Sequence, residues 1–235
     1  MSTTTLLIDA GSTAPDAPVT RLGGLPLAPA GTEWPVCAAC SGPLQFIAQV
    51  VPGDGSVLAV FMCANDPGSC QEWDAWAGAN KAFVFPAEGL RAMPLPPLPA
   101  AADAEDDTAD DDADEADDED EDYADEDDDE EVRVLGAVRA AVSVVVPGTG
   151  YDEACDAWAG SSGRAEREVL GQLGGEPEWL QYDQTPVCPD CAAPMAFTAC
   201  LEEGPDAVTA PNFGSGTGYL HACAPCARAA FLWQC

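Results

Sequence analysis

Cys37-Ala38-Ala39-Cys40 recurs 151 residues further along as Cys188-Pro189-Asp190-Cys191. A Cys-x-x-Cys turn offers two thiolates to one metal ion with little strain, so each pair reads as half of a tetrahedral site. Cys223 and Cys226 supply the second half for the later pair, after 31 intervening residues. Cys63 and Cys70 stand in the corresponding place for the earlier one, with six residues between them and a Pro67-Gly68 turn to bring their ends together. Eight of the eleven cysteines thus fall into two four-thiolate sets, and the expected occupant is structural zinc, one or two ions per chain. With four protein ligands each, neither set keeps an open position of the kind a hydrolytic metal needs.

The repeat extends beyond the cysteines. Leu22-Gly23-Gly24-Leu25-Pro26 returns as Leu173-Gly174-Gly175-Glu176-Pro177, Pro35-Val36 as Pro186-Val187, Pro43 as Pro194 and Phe46 as Phe197, all at the same offset of 151. Each copy then runs through a polar or Gly-rich excursion of its own length, Pro52 to Ser56 and Glu202 to Gly218, before its second cysteine pair. Ends that align while loops vary point to internal duplication of one unit.

Short apolar runs bounded by Gly or Pro read as strands at Leu44 to Val51, Val57 to Met62, Lys81 to Phe85, Val142 to Val146, Met195 to Leu201 and Tyr219 to Ala222. Helix signals are fewer. Ala165 to Gln172 has Ser161 and Ser162 before it and Gly174 and Gly175 after it, and part of Cys70 to Ala77 offers a second. The expected fold class is α+β, β-dominated, with internal duplication of two similar β-rich units, each carrying a four-cysteine, zinc-ribbon-like site. The expected boundaries are 1–92 for the first unit, 93–131 for a linker and 132–235 for the second unit.

The linker begins with alternating Pro and Leu, then turns acidic. Residues 103–131 hold 22 of the 42 acidic residues and no Lys or Arg, a composition expected to stay disordered. Without it, 20 acidic residues face 8 basic ones, a net charge of -12 against -34 for the whole chain. Such a surface repels phosphate backbones and anionic lipids, so nucleic acid and membrane are not expected partners, and a basic protein client is. The first ten residues lack a basic flank and a long apolar stretch, and Val134 to Pro147 is too short and too charged for a membrane span. A cytoplasmic protein is expected. An odd cysteine count and the Cys-x-x-Cys pairs argue against a secreted disulfide scaffold.

The remaining candidates carry plainer readings. Cys155, Cys200 and Cys235 are expected to be packed in the interior, and His221, two residues before Cys223, is left outside the ligand set. Of Trp34, Trp73, Trp76, Trp158, Trp179 and Trp233, four are expected in the core, although together they could line a peptide-binding face. No Gly-x-Ser-x-Gly, His-Glu-x-x-His, Walker or dinucleotide motif is present, and one histidine leaves few acid-base pairs, so an enzyme is not expected.

Leu-Gly-Gly-x-Pro, the Trp34-Pro35 and Thr185-Pro186 steps, Cys-x-x-Cys and Gln45-Phe46-Ile47-Ala48-Gln49 together resemble the YwqG-like bacterial family of unknown function. More remotely the chain is similar to the programmed-cell-death-2-like proteins of eukaryotes. The resemblance runs through Leu22 to Val51, Trp73 to Phe85 and Leu173 to Cys235. It implies a duplicated β-rich α+β fold. The eukaryotic relatives are similar to chaperones that hold a basic ribosomal protein, and bacterial relatives look like immunity proteins. The reading is therefore a non-enzymatic, zinc-binding protein-interaction module, a chaperone or adaptor. The alternatives are an immunity protein neutralising a toxin and an uncharacterised enzyme.

Overall fold

The structure, a computed structural model, describes residues 2–65, 67–96, 135, 138–148, 150–206 and 210–235. The expected linker falls outside these from residue 97 onward. The strands are β1 (Thr3–Ser12), β2 (Arg21–Leu22), β3 (Leu27–Ala28), β4 (Gln45–Val50), β5 (Ser56–Met62), β6 (Asn80–Pro86), β7 (Arg91–Ala92), β8 (Arg139–Pro147), β9 (Val169–Leu173), β10 (Ala196–Glu202), β11 (Thr217–Cys223) and β12 (Arg228–Gln234). Among the described residues there is one α-helix, α1 (Tyr151–Ser162).

Ten strands form one antiparallel sheet in the order β12-β11-β10-β9-β1-β8-β2-β4-β5-β6. The sheet curls until its two end strands, β6 and β12, run beside each other, nearly closing it. Its centre interlocks the two halves of the chain. β1 lies between β8 and β9, and β8 lies between β1 and β2, so each half's first strand pairs with the other half's second. Inside the curl, Leu7, Ile47, Val60, Leu170, Leu220 and Phe231 belong to one apolar core drawn from both halves.

Alternation along β1 explains how this layer is covered on its outer side. Leu7 points into the shared core, while Leu6 and Ile8 meet Ala154, Cys155 and Trp158 of α1. Gly150 gives this helix no side-chain cap; the Glu178 carboxylate accepts from the N–H groups of Tyr151 (2.9 Å) and Asp152 (3.3 Å) instead. Gly163, left-handed at φ 70°, ends it by donating to the Ala159 carbonyl. A two-stranded ribbon, β3 with β7, continues into Met93, which packs with Phe46, Phe61 and Trp34 on the outside of β4 and β5.

Local geometry recurs at the 151-residue offset. Gly23 N–H donates to Ile47 O at 2.8 Å, and Gly174 N–H to Thr198 O at 2.7 Å. Both hairpins carry a register shift at the same place, between Phe46 and Ala48 and between Phe197 and Ala199. Arg21 and Gln172 are counterparts in chemistry as well as place: Arg21 donates to Gly23 O and Leu25 O, and Gln172 to Gly174 O and Glu176 O. Each thus ties down the carbonyls of a Gly-Gly turn that has left the ladder.

All six expected strands are present. The two expected helices are not. Ala165 to Gln172 is instead a 3-10 turn (Glu166–Glu168) running into β9, because Val169 and Leu170 are buried in the sheet and Gly171 takes φ 139° where a helix cannot. Cys70 to Ala77 is a series of turns. Ser161 and Ser162 close a helix rather than open one.

Arg21 is fully buried and also donates to Ala17 O at 3.0 Å. Burial lowers its pKa to about 10, still well above neutrality, so the guanidinium stays charged. Arg21→Met strands three carbonyls, and its urea midpoint should fall by an amount equivalent to about 3 kcal/mol. Gln172→Ala should cost less, about 1 kcal/mol.

Candidate metal centres

An antiparallel hairpin brings its own ends together, and both cysteine sets sit at hairpin bases. Cys37 and Cys40 precede β4, and Cys63 follows β5; Cys188 and Cys191 precede β10, and Cys223 ends β11. The first corner of each set is a tight knuckle. Ser41 N–H donates to Cys37 O and Cys37 N–H to Gly42 O, at 2.9 and 2.8 Å; Ala192 to Cys188 and Cys188 to Ala193 repeat these at 2.9 and 2.8 Å. Ser41 (φ 63°) and Ala192 (φ 58°) both take the left-handed conformation that closes the knuckle. The second corners differ: Cys223 precedes a 3-10 turn that ends in Cys226, whereas Cys63 and Cys70 are separated by a longer stretch of chain.

In each set the four Sγ atoms lie within 4.8 Å of one another. Cys40 Sγ to Cys63 Sγ and Cys191 Sγ to Cys223 Sγ are both 3.7 Å. A tetrahedron with metal–sulfur bonds of about 2.3 Å has sulfur–sulfur edges of about 3.8 Å, so these separations fit one ion at each centre. Cys37 and Cys188 are buried beneath, and Cys40 and Cys191 are exposed at the rim. All eight expected ligands are therefore brought together as two closed groups, suited to zinc or another thiophilic metal.

The electrostatics fit the same use. Burial works against ionisation of Cys40, but the Gly42 N–H and neighbouring Cys37, Cys63 and Asn65 groups outweigh it and hold the thiol near 7. Cys188 also comes down to about 7, burial being outweighed by the N–H groups of Cys191 and Asp190 and by the neighbouring thiols. Four other members move the other way. Burial and adjacent thiols push up Cys63, Cys70 and Cys223, and hydrogen bonding to Cys191 lifts Cys226 to about 12. Cys40 and Cys188 therefore give up a proton readily, and a bound cation would favour ionisation of the thiols pushed up beside them.

The surroundings of the two clusters are not alike. Asn65 Nδ2 lies 3.4 Å from Cys40 Sγ and 3.3 Å from Cys63 Sγ. Near the second cluster Arg228 holds Asp190, the third residue of the knuckle, through two contacts of 2.6 and 3.2 Å. An amide at one centre and a guanidinium near the other each soften the negative charge of four thiolates.

Other cysteines divide. Cys155 and Cys200 are buried, as expected, and burial raises both pKa values. Cys235 is exposed, contrary to expectation, because β12 ends one residue earlier and leaves it outside the sheet. His221 is buried and stacks on Trp179 at 5.6 Å, and burial lowers its pKa to about 4. Trp73 and Trp76 are exposed, and the other four tryptophans are buried or half-buried.

A second feature was not legible as a site. A cavity of about 700 Å³ opens beside the start of α1, with Asp152, Glu166, Glu178, Glu202 and Glu203 in its wall and Arg167 as the one cation among its described lining residues. Thr217 Oγ1 donates to Glu202 at 3.2 Å. Burial raises the Glu202 carboxyl to about 7, despite hydrogen bonds from Tyr151 and Thr217 that favour its charged form. In the sequence Glu202 opens the polar excursion after Leu201, and nothing there shows that Tyr151 at the start of α1 will meet it.

No protein-family model and no curated protein matches the chain. Among the described residues no helix is long and apolar enough to cross a membrane.

Folding favours the protonated form of Glu202, so the residue costs stability as pH rises from the unfolded value of 4.5 through about 7. Glu202→Gln should become progressively more stable than the parent across that window, level off above it, and gain at most about 3 kcal/mol in all. Urea denaturation of both proteins from pH 4 to 8 measures this, and a difference independent of pH would contradict it.

Proposed function

We propose that the chain is a non-enzymatic, zinc-stapled protein-binding module, a chaperone or adaptor whose client is a basic protein. The observation that carries the reading is the closed ligand set: four protein sulfurs surround each centre and leave no position for a substrate or a reactive water. Zinc fits because it favours tetrahedral thiolate sites and needs no redox partner in a reducing compartment. A net charge of -34 supports a basic client, since it speeds encounter with a positive surface and discourages nucleic acid. Asp152, Glu166, Glu178 and Glu203 around the cavity beside α1 put part of that charge on folded surface.

The two halves, residues 1–92 and 132–235, are in this reading copies of one unit joined by 93–131. The recurring Gly-Gly turn bonds, register shifts and knuckles support the common origin. The resemblance to the YwqG-like family fits this reading and adds no activity to it.

Full-length protein purified without added metal should contain two zinc ions per chain, falling to one in Cys37→Ser and to one in Cys188→Ser. Elemental analysis measures this, and a metal-free parent with eleven titratable thiols would overturn the zinc assignment. The parent should also bind poly-lysine, with affinity falling steeply as salt rises from about 50 to 200 mM, and should ignore poly-glutamate. Equal retention of both polymers would remove the basic client.

A further inference from the structure

The two cysteine clusters share a knuckle and differ at one edge. A closed set of four sulfurs exchanges its ion only when one sulfur leaves, and an incoming ligand reaches the most exposed sulfur first. Cys40 and Cys191 hold that position, each the exposed member of its cluster. Each forms a rim edge with a cysteine of the second corner, Cys40 with Cys63 and Cys191 with Cys223, at the same sulfur–sulfur separation of 3.7 Å.

Over the first of these edges lies the Asn65 side chain. Its amide nitrogen is 3.4 Å from Cys40 Sγ, 3.3 Å from Cys63 Sγ and 3.2 Å from Pro43 O, so its two hydrogens are shared between both sulfurs and a carbonyl that fixes its place. Gly42 leaves the room it occupies, because a Cβ there would come within 2.6 Å of Asn65 Nδ2 and 2.8 Å of its Cγ. The second cluster lacks both parts of this arrangement. Ala193 takes the place of Gly42 at the 151-residue offset and closes its knuckle by the same bond, Cys188 N–H to Ala193 O against Cys37 N–H to Gly42 O, both at 2.8 Å. Pro225 follows Cys223 by two residues, as Asn65 follows Cys63, and its side chain has nothing to donate. Among the described residues no side-chain amide reaches Cys191 Sγ or Cys223 Sγ. Arg228 is no substitute: both of its bonds go to the exposed Asp190 carboxylate, and solvent and salt screen what remains of its charge.

We propose that Asn65 latches the first centre, making it the slow, permanent staple, and that the second centre, bare at the same edge, is where this chain exchanges its metal with an outside thiol. The proposal rests on the zinc reading above and adds which centre gives up its ion. An N–H directed at a bound thiolate ties up the lone pair that an incoming proton would use, and the amide covers the edge that an incoming ligand must cross. At the second centre neither obstacle is present. There the metal–sulfur bond to Cys191 breaks as one to the incoming thiolate forms, and the proton lost by that thiol passes to the Cys191 thiolate, with no change of oxidation state.

The test follows zinc release from the two-zinc full chain into an excess of the chromogenic chelator 4-(2-pyridylazo)resorcinol, with and without glutathione as the small thiol. In the parent one zinc should leave about tenfold faster than the other, and glutathione should speed the fast phase alone. Asn65→Ala removes the amide, and Gly42→Ala keeps it but fills its seat; each should speed the slow phase about tenfold and leave the fast phase as it was. The metal's own signal separates a latch from a residue that only shapes the loop. With ¹¹³Cd at both centres, Asn65→Ala should move one of two resonances and leave the other in place. Release of both zincs at one rate, a slow phase unmoved by both variants, or two unmoved ¹¹³Cd resonances would overturn the latch and leave the zinc reading standing. A parent that holds no zinc would overturn both.

Discussion

Two hairpins each bring four sulfur atoms to their base, and the rest of the architecture follows from keeping those bases shut. Four thiolates within 4.8 Å repel one another, and Cys40 and Cys188 come down while Cys70 and Cys226 are pushed up. A bound divalent ion would remove the repulsion and turn each cluster into a cross-link between residues far apart in sequence. In this respect a metal-filled cluster would tie the chain together as a disulfide does.

The cross-links alone would give two independent hairpins. What makes one body is the exchange at the centre of the sheet, where β1 and β8 each lie against the other half's next strand. The shared core inside the curl then draws on both halves, so neither half can lose its first strand without exposing the other's interior. Arg21 and Gln172 stand beside this exchange and hold the two Gly-Gly turns where the chain leaves β2 and β9. The curl ends at a seam that a side chain bridges in place of a ladder.

Much of this was legible in the sequence where the physics is local. Cys-x-x-Cys spacing named six of the eight clustered thiols, the repeat added Cys63 and Cys70, and short apolar runs located β4, β5, β6, β8, β10 and β11. The failures come from long-range effects. Val169 to Leu173 carries no alternation because it is buried on both faces between β1 and β10, so a neighbouring Ser pair and Gly pair suggested a helix instead. The true helix has only Ala154, Cys155 and Trp158 buried, too sparse a stripe to stand out, and its cap comes from Glu178, 26 residues beyond Asp152. Neither the strand exchange nor the burial of Glu202 beneath α1 has any local signature.

The claim on which the account turns is that each hairpin base holds one metal ion in a shell of four protein sulfurs. Zinc K-edge X-ray absorption on the full chain, purified without added metal, tests it most directly. The account predicts a single shell of four sulfur scatterers at about 2.3 Å and no nitrogen or oxygen neighbour. A shell containing oxygen or nitrogen would mean an open or mixed site and would contradict it.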